Sequence, residues 1–90
     1  MDIKLRIFKA VAHDKRIRLI KLLYEKGRMP LRDISDLMDV PEATACRNLK
    51  ILENVELVKS SITNAIAEYW LNRDKDLPIN QKVINIIINN

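Results

Sequence analysis

Two basic side chains with helical spacing are the residues of this sequence best suited to grip another molecule. Arg47 and Lys50 lie three positions apart in a segment whose apolar residues recur at the period of a helix. A guanidinium donates paired hydrogen bonds to guanine O6 and N7, or it holds a phosphate oxygen, and the residue type alone allows both. On an isolated helix such charges are more often merely solvated. The neighbouring elements must therefore show whether these two side chains contact another molecule.

The segment from Pro41 to Glu53 is predicted to form the helix that positions these side chains. Proline suits the start of a helix because its missing N–H needs no partner there. Ala45, Leu49 and Leu52 fall on one face and are expected to point into the domain. The residues left on the outer face and its flanks are Ala43, Thr44, Cys46, Arg47 and Lys50.

Three further helices are predicted before this one. Apolar spacing places them over residues 2–12 and 15–26 and in a short stretch of about two turns from Leu31 to Met38. Gly27 is expected to end the second helix with a positive φ. Asp39 is expected to be left-handed in the tight break before Pro41.

After residue 54 the pattern changes to two strand-like segments, residues 57–62 and 65–71, with a turn at Thr63 and Asn64. A last helix is predicted over residues 79–88. The fold class is therefore mainly α with a small β-hairpin, in the order α-α-α-α-β-β-α. This is the order of a winged helix-turn-helix domain, in which the second helix of the turn pair enters the DNA major groove. We expect residues 1–90 to form one such domain.

The composition excludes several classes of function. The 90 residues include one cysteine, one histidine and one glycine, too few for a disulfide framework, a zinc site or a glycine-rich phosphate loop. We therefore expect no enzyme, no cofactor and no metal. The net charge of +4 favours a polyanionic partner. The N-terminal segment lacks the apolar core of a signal peptide, so we expect a cytoplasmic protein.

Two stretches of the sequence resemble the ArsR/SmtB-like family of winged-helix transcription regulators. They are FKAVAHDKRIRLIKLL and DISDLMDVPEATACRNLKILENVELVKS, and the resemblance covers roughly residues 5–71. It implies a homodimeric repressor whose fourth helix contacts operator DNA. Metal-sensing members carry paired cysteines where this chain has residues 29–33, and no thiol is present there. Cys46 is either a redox switch or, as lone intracellular cysteines more commonly are, a packing residue.

The helix before the turn and the hairpin supply further candidates for DNA contact. The sequence has no Lys or Arg between Lys59 and Arg73, whereas a wing that grips DNA normally carries cations. We therefore expect a reduced part for the wing. On the short third helix, ordinary surface polarity is an equally good interpretation. The candidates are Arg32, Ser35, Lys59, Ser60, Ser61 and Asn64.

The terminal helices are predicted to form a dimer interface. The first has two apolar stripes, one of Leu5, Phe8 and Ala12 and one containing Ile3, and the last is apolar almost all round. The alternative is that both helices pack wholly within one core. A second functional hypothesis is a winged-helix module that binds protein in a larger complex. The predicted interface residues are Ile3, Ile7, Val11, Val83, Ile84, Ile87 and Ile88.

Overall fold

A computed structural model describes residues 2–89, so residues 1 and 90 of the predicted domain lie outside the described part. None of the helices in that part has the length and apolar character needed to cross a membrane. The elements are α1 (Ile3–Val11), α2 (Asp14–Lys26), β1 (Met29–Pro30), α3 (Leu31–Met38), α4 (Glu42–Asn54), β2 (Val58–Thr63), β3 (Ile66–Leu71) and α5 (Pro78–Ile88).

Helices α2, α3 and α4 pack on one another and enclose the centre of the core. The inward face predicted for α4 is confirmed, since Ala45, Leu49 and Leu52 are all buried. Leu19 and Ile20 meet them from α2. The spacing of these residues puts them on one side of each helix, which leaves the other side of α4 available to a partner.

The break between α3 and α4 is fixed by two local features. Asp39 is left-handed, with φ 56° and ψ 48°, as expected. The Ser35 hydroxyl donates a hydrogen bond of 2.6 Å to the carbonyl oxygen of Val40, and the Val40 N–H donates one of 3.2 Å to the Ser35 carbonyl oxygen. These bonds fix the turn that leads from α3 into α4.

The sheet has three antiparallel strands in the order β1-β3-β2, one more than the sequence predicts. The extra strand, β1, is only Met29 and Pro30, which pair with β3 at Tyr69 and Glu68. The hairpin turn also lies one residue later than predicted, at Asn64 (φ 53°) and Ala65 (φ 65°). Positive φ at both central residues is the mark of a type I′ turn, which matches the twist of the strands.

Two buried asparagines fasten α5 to the rest of the domain. Asn80 Nδ2 donates a hydrogen bond of 2.7 Å to the carbonyl oxygen of Glu56, and Asn72 Nδ2 donates one of 2.9 Å to the same oxygen. Glu56 itself has a positive φ of 63°. The start of α5 is therefore tied to the turn that follows α4.

The burial pattern corrects the predicted dimer interface. Ile7 (1% exposed), Val83 (3%), Ile84 (0%) and Ile87 (9%) lie in the core of the chain's own domain. Val11 and Ile88 are half-buried against that core, so only Ile3 of the predicted set is largely exposed. The prediction was wrong for the buried residues because neither the two apolar stripes of α1 nor the almost wholly apolar surface of α5 says which side packs inward.

Candidate nucleic-acid interface

The exposed side of α4 carries the residues that could contact a double helix. Ala43, Arg47 and Lys50 are exposed, and Thr44 is half-buried on their flank. Opposite them lies the buried face of the helix. The small side chain of Ala43, near the N-terminal end, leaves room for close approach to base edges. One side of this helix is thus core and the other is free for contacts.

A polar cleft adjoins this face where the start of α2 meets α4. Its volume is about 450 Å³. Lys15, Arg18 and Arg47 bring three permanent cations to it, against the one carboxylate of Asp14. The Asn48 side chain on its wall donates a hydrogen bond of 3.0 Å to the Thr44 carbonyl oxygen. A cleft with this excess of positive charge attracts polyanions.

The contribution of α2 to this cleft was not predicted from the sequence. His13, Lys15, Arg18 and Asn48 all line it, and none was selected as a site residue. Lys15 and Arg18 are three positions apart, so their shared helix face could be read from the sequence. Their proximity to Arg47 depends on how α2 packs on α4, and helical periodicity does not specify that packing.

Two of the selected serines are engaged in holding the fold. Ser35 is buried and its hydroxyl closes the turn at Val40. The Ser60 hydroxyl is half-buried and donates a hydrogen bond to the Glu53 carboxylate. Ser35 is held by a local bond to the backbone just after α3, and Ser60 by a side-chain bond from β2 to α4.

Cys46 lies on the side of α4 that faces the sheet. It is half-buried, and its Sγ is 3.9 Å from the Tyr69 hydroxyl. Burial, helped by the hydrogen bond and charge of Cys46 and by the charge of Glu53, raises the pKa of Tyr69 to about 12. The phenol is therefore protonated at neutral pH and joins β3 to α4. Cys46, predicted on the flank of the helix and among the candidates for DNA contact, is thus engaged with the sheet.

The remaining candidates are dispersed, and all of them except Ser61 are exposed. Arg32 lines a separate groove of about 250 Å³ together with Glu42 and Ile66. Lys59 lies on the outer face of the sheet opposite Trp70, and Asn64 occupies the hairpin tip. Ser61 is half-buried. The structure therefore leaves these residues accessible without joining them to the cleft.

Arg28, which lies just before β1, already has partners within the domain. Arg28 Nε donates a hydrogen bond of 3.0 Å to Glu68 Oε1, and its guanidinium carbon lies 4.3 Å from the centre of the Trp70 ring. The outer face of the sheet thus neutralises its own arginine.

Within residues 2–89, no group of three or more His, Cys, Asp or Glu side chains is placed to hold a metal ion.

Solved structures with similar folds identify the architecture. The homodimeric winged helix-turn-helix DNA-binding domain of Mb0332 from Mycobacterium bovis, a possible ArsR-family regulator, is 22% identical with a TM-score of 0.80, covering 98% of this chain and 80% of that one. The transcriptional repressor PagR of Bacillus anthracis is 18% identical with a TM-score of 0.72, covering 90% and 92%. The predicted winged helix-turn-helix fold is confirmed, as is the resemblance to proteins of ArsR type.

Sequence similarity to a transcriptional regulatory protein covers part of the chain. A cadmium resistance transcriptional regulatory protein, a CadC homolog of Staphylococcus aureus, is 27% identical over 71 residues. These residues are 79% of this chain and 58% of that protein, so the match spans little more than half the length of the relative. No protein-family model matches the chain.

Proposed function

We propose that this chain is a sequence-specific DNA-binding transcription regulator whose helix α4 enters the major groove. The observation that carries the proposal is the continuity between the exposed side of α4 and the cationic cleft at the start of α2. One surface thereby offers a helix that fits the major groove and cations beside it for the phosphates.

Within that surface we assign different parts to different residues. Arg47 projects from the middle of the face and is suited to a guanine edge, which it would meet with two hydrogen bonds. Lys15 and Arg18, on the neighbouring helix, are suited to backbone phosphates, which fix the register. Thr44 supplies either a phosphate contact or a contact with a thymine methyl group, and Lys50 a further phosphate contact.

We also propose that the protein acts as a homodimer through α1. Three large apolar side chains of this helix are exposed on the single chain, namely Ile3 (49%), Leu5 (47%) and Phe8 (50%). Burying them across a two-fold axis would remove an apolar patch from water. Such a pair would offer two copies of α4 to half-sites about 34 Å apart. The M. bovis domain with this fold is described as homodimeric, which supports the pairing of two chains.

The dimer has its own test. Size-exclusion chromatography with light scattering should give the mass of two chains for the wild type and of one chain for Phe8→Glu. Leu37→Glu changes a similarly exposed apolar residue on α3 and should leave the dimer intact. A monomeric wild type, or equal loss of the dimer in both variants, would contradict the α1 interface.

At the level of the cell, we propose that the protein represses transcription by occupying a promoter, which places it with the DNA in the cytoplasm. The similar B. anthracis protein is described as a transcriptional repressor. The proposal needs no cofactor and no metal, because the exposed face of α4 and the cations of α2 supply both kinds of contact by themselves.

Binding to DNA is tested by selecting bound fragments from a random duplex library and titrating the selected site in gel shifts. A specific binder should prefer that site over competitor DNA, and its affinity should fall steeply as salt rises. Failure to enrich any sequence would reject the proposal. It would favour the alternative of a protein-binding module, for which the exposed Ile62 and Ile66 of the wing would be the first surface to probe.

A further inference from the structure

A second cavity lies at the other end of α4, where its last turn meets α1 and the start of α2. Its volume is about 330 Å³, at the small end of the range of ligand sites. Ala10 of α1 and Ile51 and Val55 at the end of α4 give it an apolar wall. One of the cationic side chains that line it is buried, whereas the cations of the cleft beside α4 are exposed.

That cation is Arg16. Its side chain belongs to a residue only 6% exposed, and its Nε is fully buried without a hydrogen-bond partner among residues 2–89. Burial also lowers the pKa of Arg16 below its usual value. An unpaired buried donor of a charged group is costly, and native structures rarely retain one without a partner. A partner that accepts hydrogen bonds would satisfy this donor, and a negatively charged acceptor would do so most strongly.

The neighbouring side chains make the cavity more positive. Arg6 and Lys9 line it, and no carboxylate does so among the described residues. Arg6 makes one long hydrogen bond of 3.4 Å, from Nη2 to the Asn54 carbonyl oxygen, which leaves its other donors available. Three cations therefore line a space whose other lining residues are the apolar Ala10, Ile51 and Val55 and the polar Asn54.

This combination defines a chemical class of ligand. A planar guanidinium matches a carboxylate with two parallel hydrogen bonds, and a neutral group would leave the charge of Arg16 uncompensated. The apolar wall formed by Ala10, Ile51 and Val55 favours an organic anion over an inorganic one, because an apolar body seated on it removes apolar surface from water. We propose that this cavity binds a small organic carboxylate with an apolar body. The site is independent of whether the chain binds DNA.

The first experiment titrates the isotope-labelled full chain with benzoate and octanoate while amide resonances are followed by NMR. At least one of them should cause saturable shifts at Ala10, Ile51 and Val55. Benzamide and octanamide lack the charge and acetate lacks the apolar body, so each should bind about tenfold or more weakly. The proposal is overturned if neither carboxylate saturates these shifts, or if the amides bind as well as the acids.

The second experiment separates a ligand-binding Arg16 from a merely structural one. Arg16→Met keeps the apolar stem and removes the guanidinium. It should weaken binding of the better carboxylate about tenfold or more while the melting temperature stays equal or rises, since an unpaired buried charge is lost. Arg73→Met, an exposed arginine outside the cavity, should leave binding unchanged.

Lys9→Gln provides the check if Arg16→Met folds poorly, because Lys9 is exposed and its replacement does not disturb the core. It should weaken carboxylate binding several-fold without changing the melting temperature. Wild-type affinity for the carboxylate in Lys9→Gln, or in a folded Arg16→Met, would assign the buried guanidinium to the fold alone and overturn the proposal.

Discussion

Helix α4 and the wing formed by β2 and β3 both project from the core, and they differ in charge. The face of α4 and the adjoining start of α2 together present Lys15, Arg18 and Arg47 around one cleft. The wing has no Lys or Arg between Lys59 and Arg73. Its hairpin instead exposes Ile62 (75%) and Ile66 (55%). For the proposed function, the difference predicts that affinity for DNA is concentrated in the helices, with the wing contributing little.

Removing the arginine from the exposed face of α4 should have the largest effect on DNA binding. Arg47→Ala should weaken binding to the selected DNA site by about 1–3 kcal/mol, because an exposed arginine supplies contacts and no core. Gel-shift titration measures the loss, and thermal denaturation should show an unchanged fold.

A matched control is available in Arg73→Ala, which removes an exposed arginine from the loop after β3. The Arg73 guanidinium lies over the Tyr24 ring near the end of α2, away from the cleft at its start. Its loss should leave DNA affinity unchanged. Equal losses of DNA affinity in the two variants would mean that net charge alone determines this affinity. The exposed face of α4 would then have no specific role in binding.

Substituting the α2 cations tests whether the cleft holds phosphates. Lys15→Ala and Arg18→Ala should each weaken DNA binding by about 1 kcal/mol on all sequences alike, because phosphate contacts carry no sequence information. Each should also lower the slope of log affinity against log salt by about one. Titrations of the selected site and of an unrelated duplex over several salt concentrations measure both quantities. A loss confined to the selected site would reassign these residues to base contact.

Prediction from sequence was strongest where a single helix decides the outcome. Ala45, Leu49 and Leu52 were placed inward by their spacing alone, and Asp39 was placed in the left-handed region because its side chain tolerates it. Each inference needs only the period of one helix or the conformational preference of one residue. The outer face of α4, to which Arg47 belongs, follows from the same period.

Prediction failed where two elements must meet. On α1 the sequence indicates two apolar stripes, yet only packing against the other helices decides that Ile7 goes inside while Leu5 and Phe8 stay outside. The two-residue strand β1 has no alternation to detect and contains Pro30, which is tolerated at a sheet edge. The cleft beside α4 and the cavity around Arg16 are likewise products of packing.

Adding a cation to the wing should increase its contribution to DNA affinity. Ile62→Lys places a charge on a highly exposed hairpin position, and we expect it to tighten DNA binding by about 0.5–1 kcal/mol through counterion release. The salt slope should steepen by less than or about one. Ile62→Gln, which is polar without charge, is the matched control and should have no such effect. A wing that does not approach the DNA would leave all these quantities unchanged.

The smallest expected effect is on stability, and it concerns the turn of the wing. We expect this turn to matter more for the fold than for the binding of DNA. Ala65 has a φ of 65°, a conformation that costs a residue with a Cβ about 1–2 kcal/mol. Glycine avoids this strain and loses about 0.5–1 kcal/mol through greater freedom of the unfolded chain. Ala65→Gly should therefore raise the free energy of unfolding by about 0.5 kcal/mol in urea denaturation and leave DNA affinity unchanged.

Ala67 offers the matched control for this change, since it lies in the same strand, β3, without a positive φ. Ala67→Gly removes a half-buried methyl group and relieves no strain, so it should lower the free energy of unfolding by about 0.5–1 kcal/mol. Opposite signs at two alanines of one hairpin would show that backbone conformation decides the outcome. If both substitutions destabilise the protein, the turn is relaxed with alanine in place and the type I′ geometry assigned to the wing is wrong.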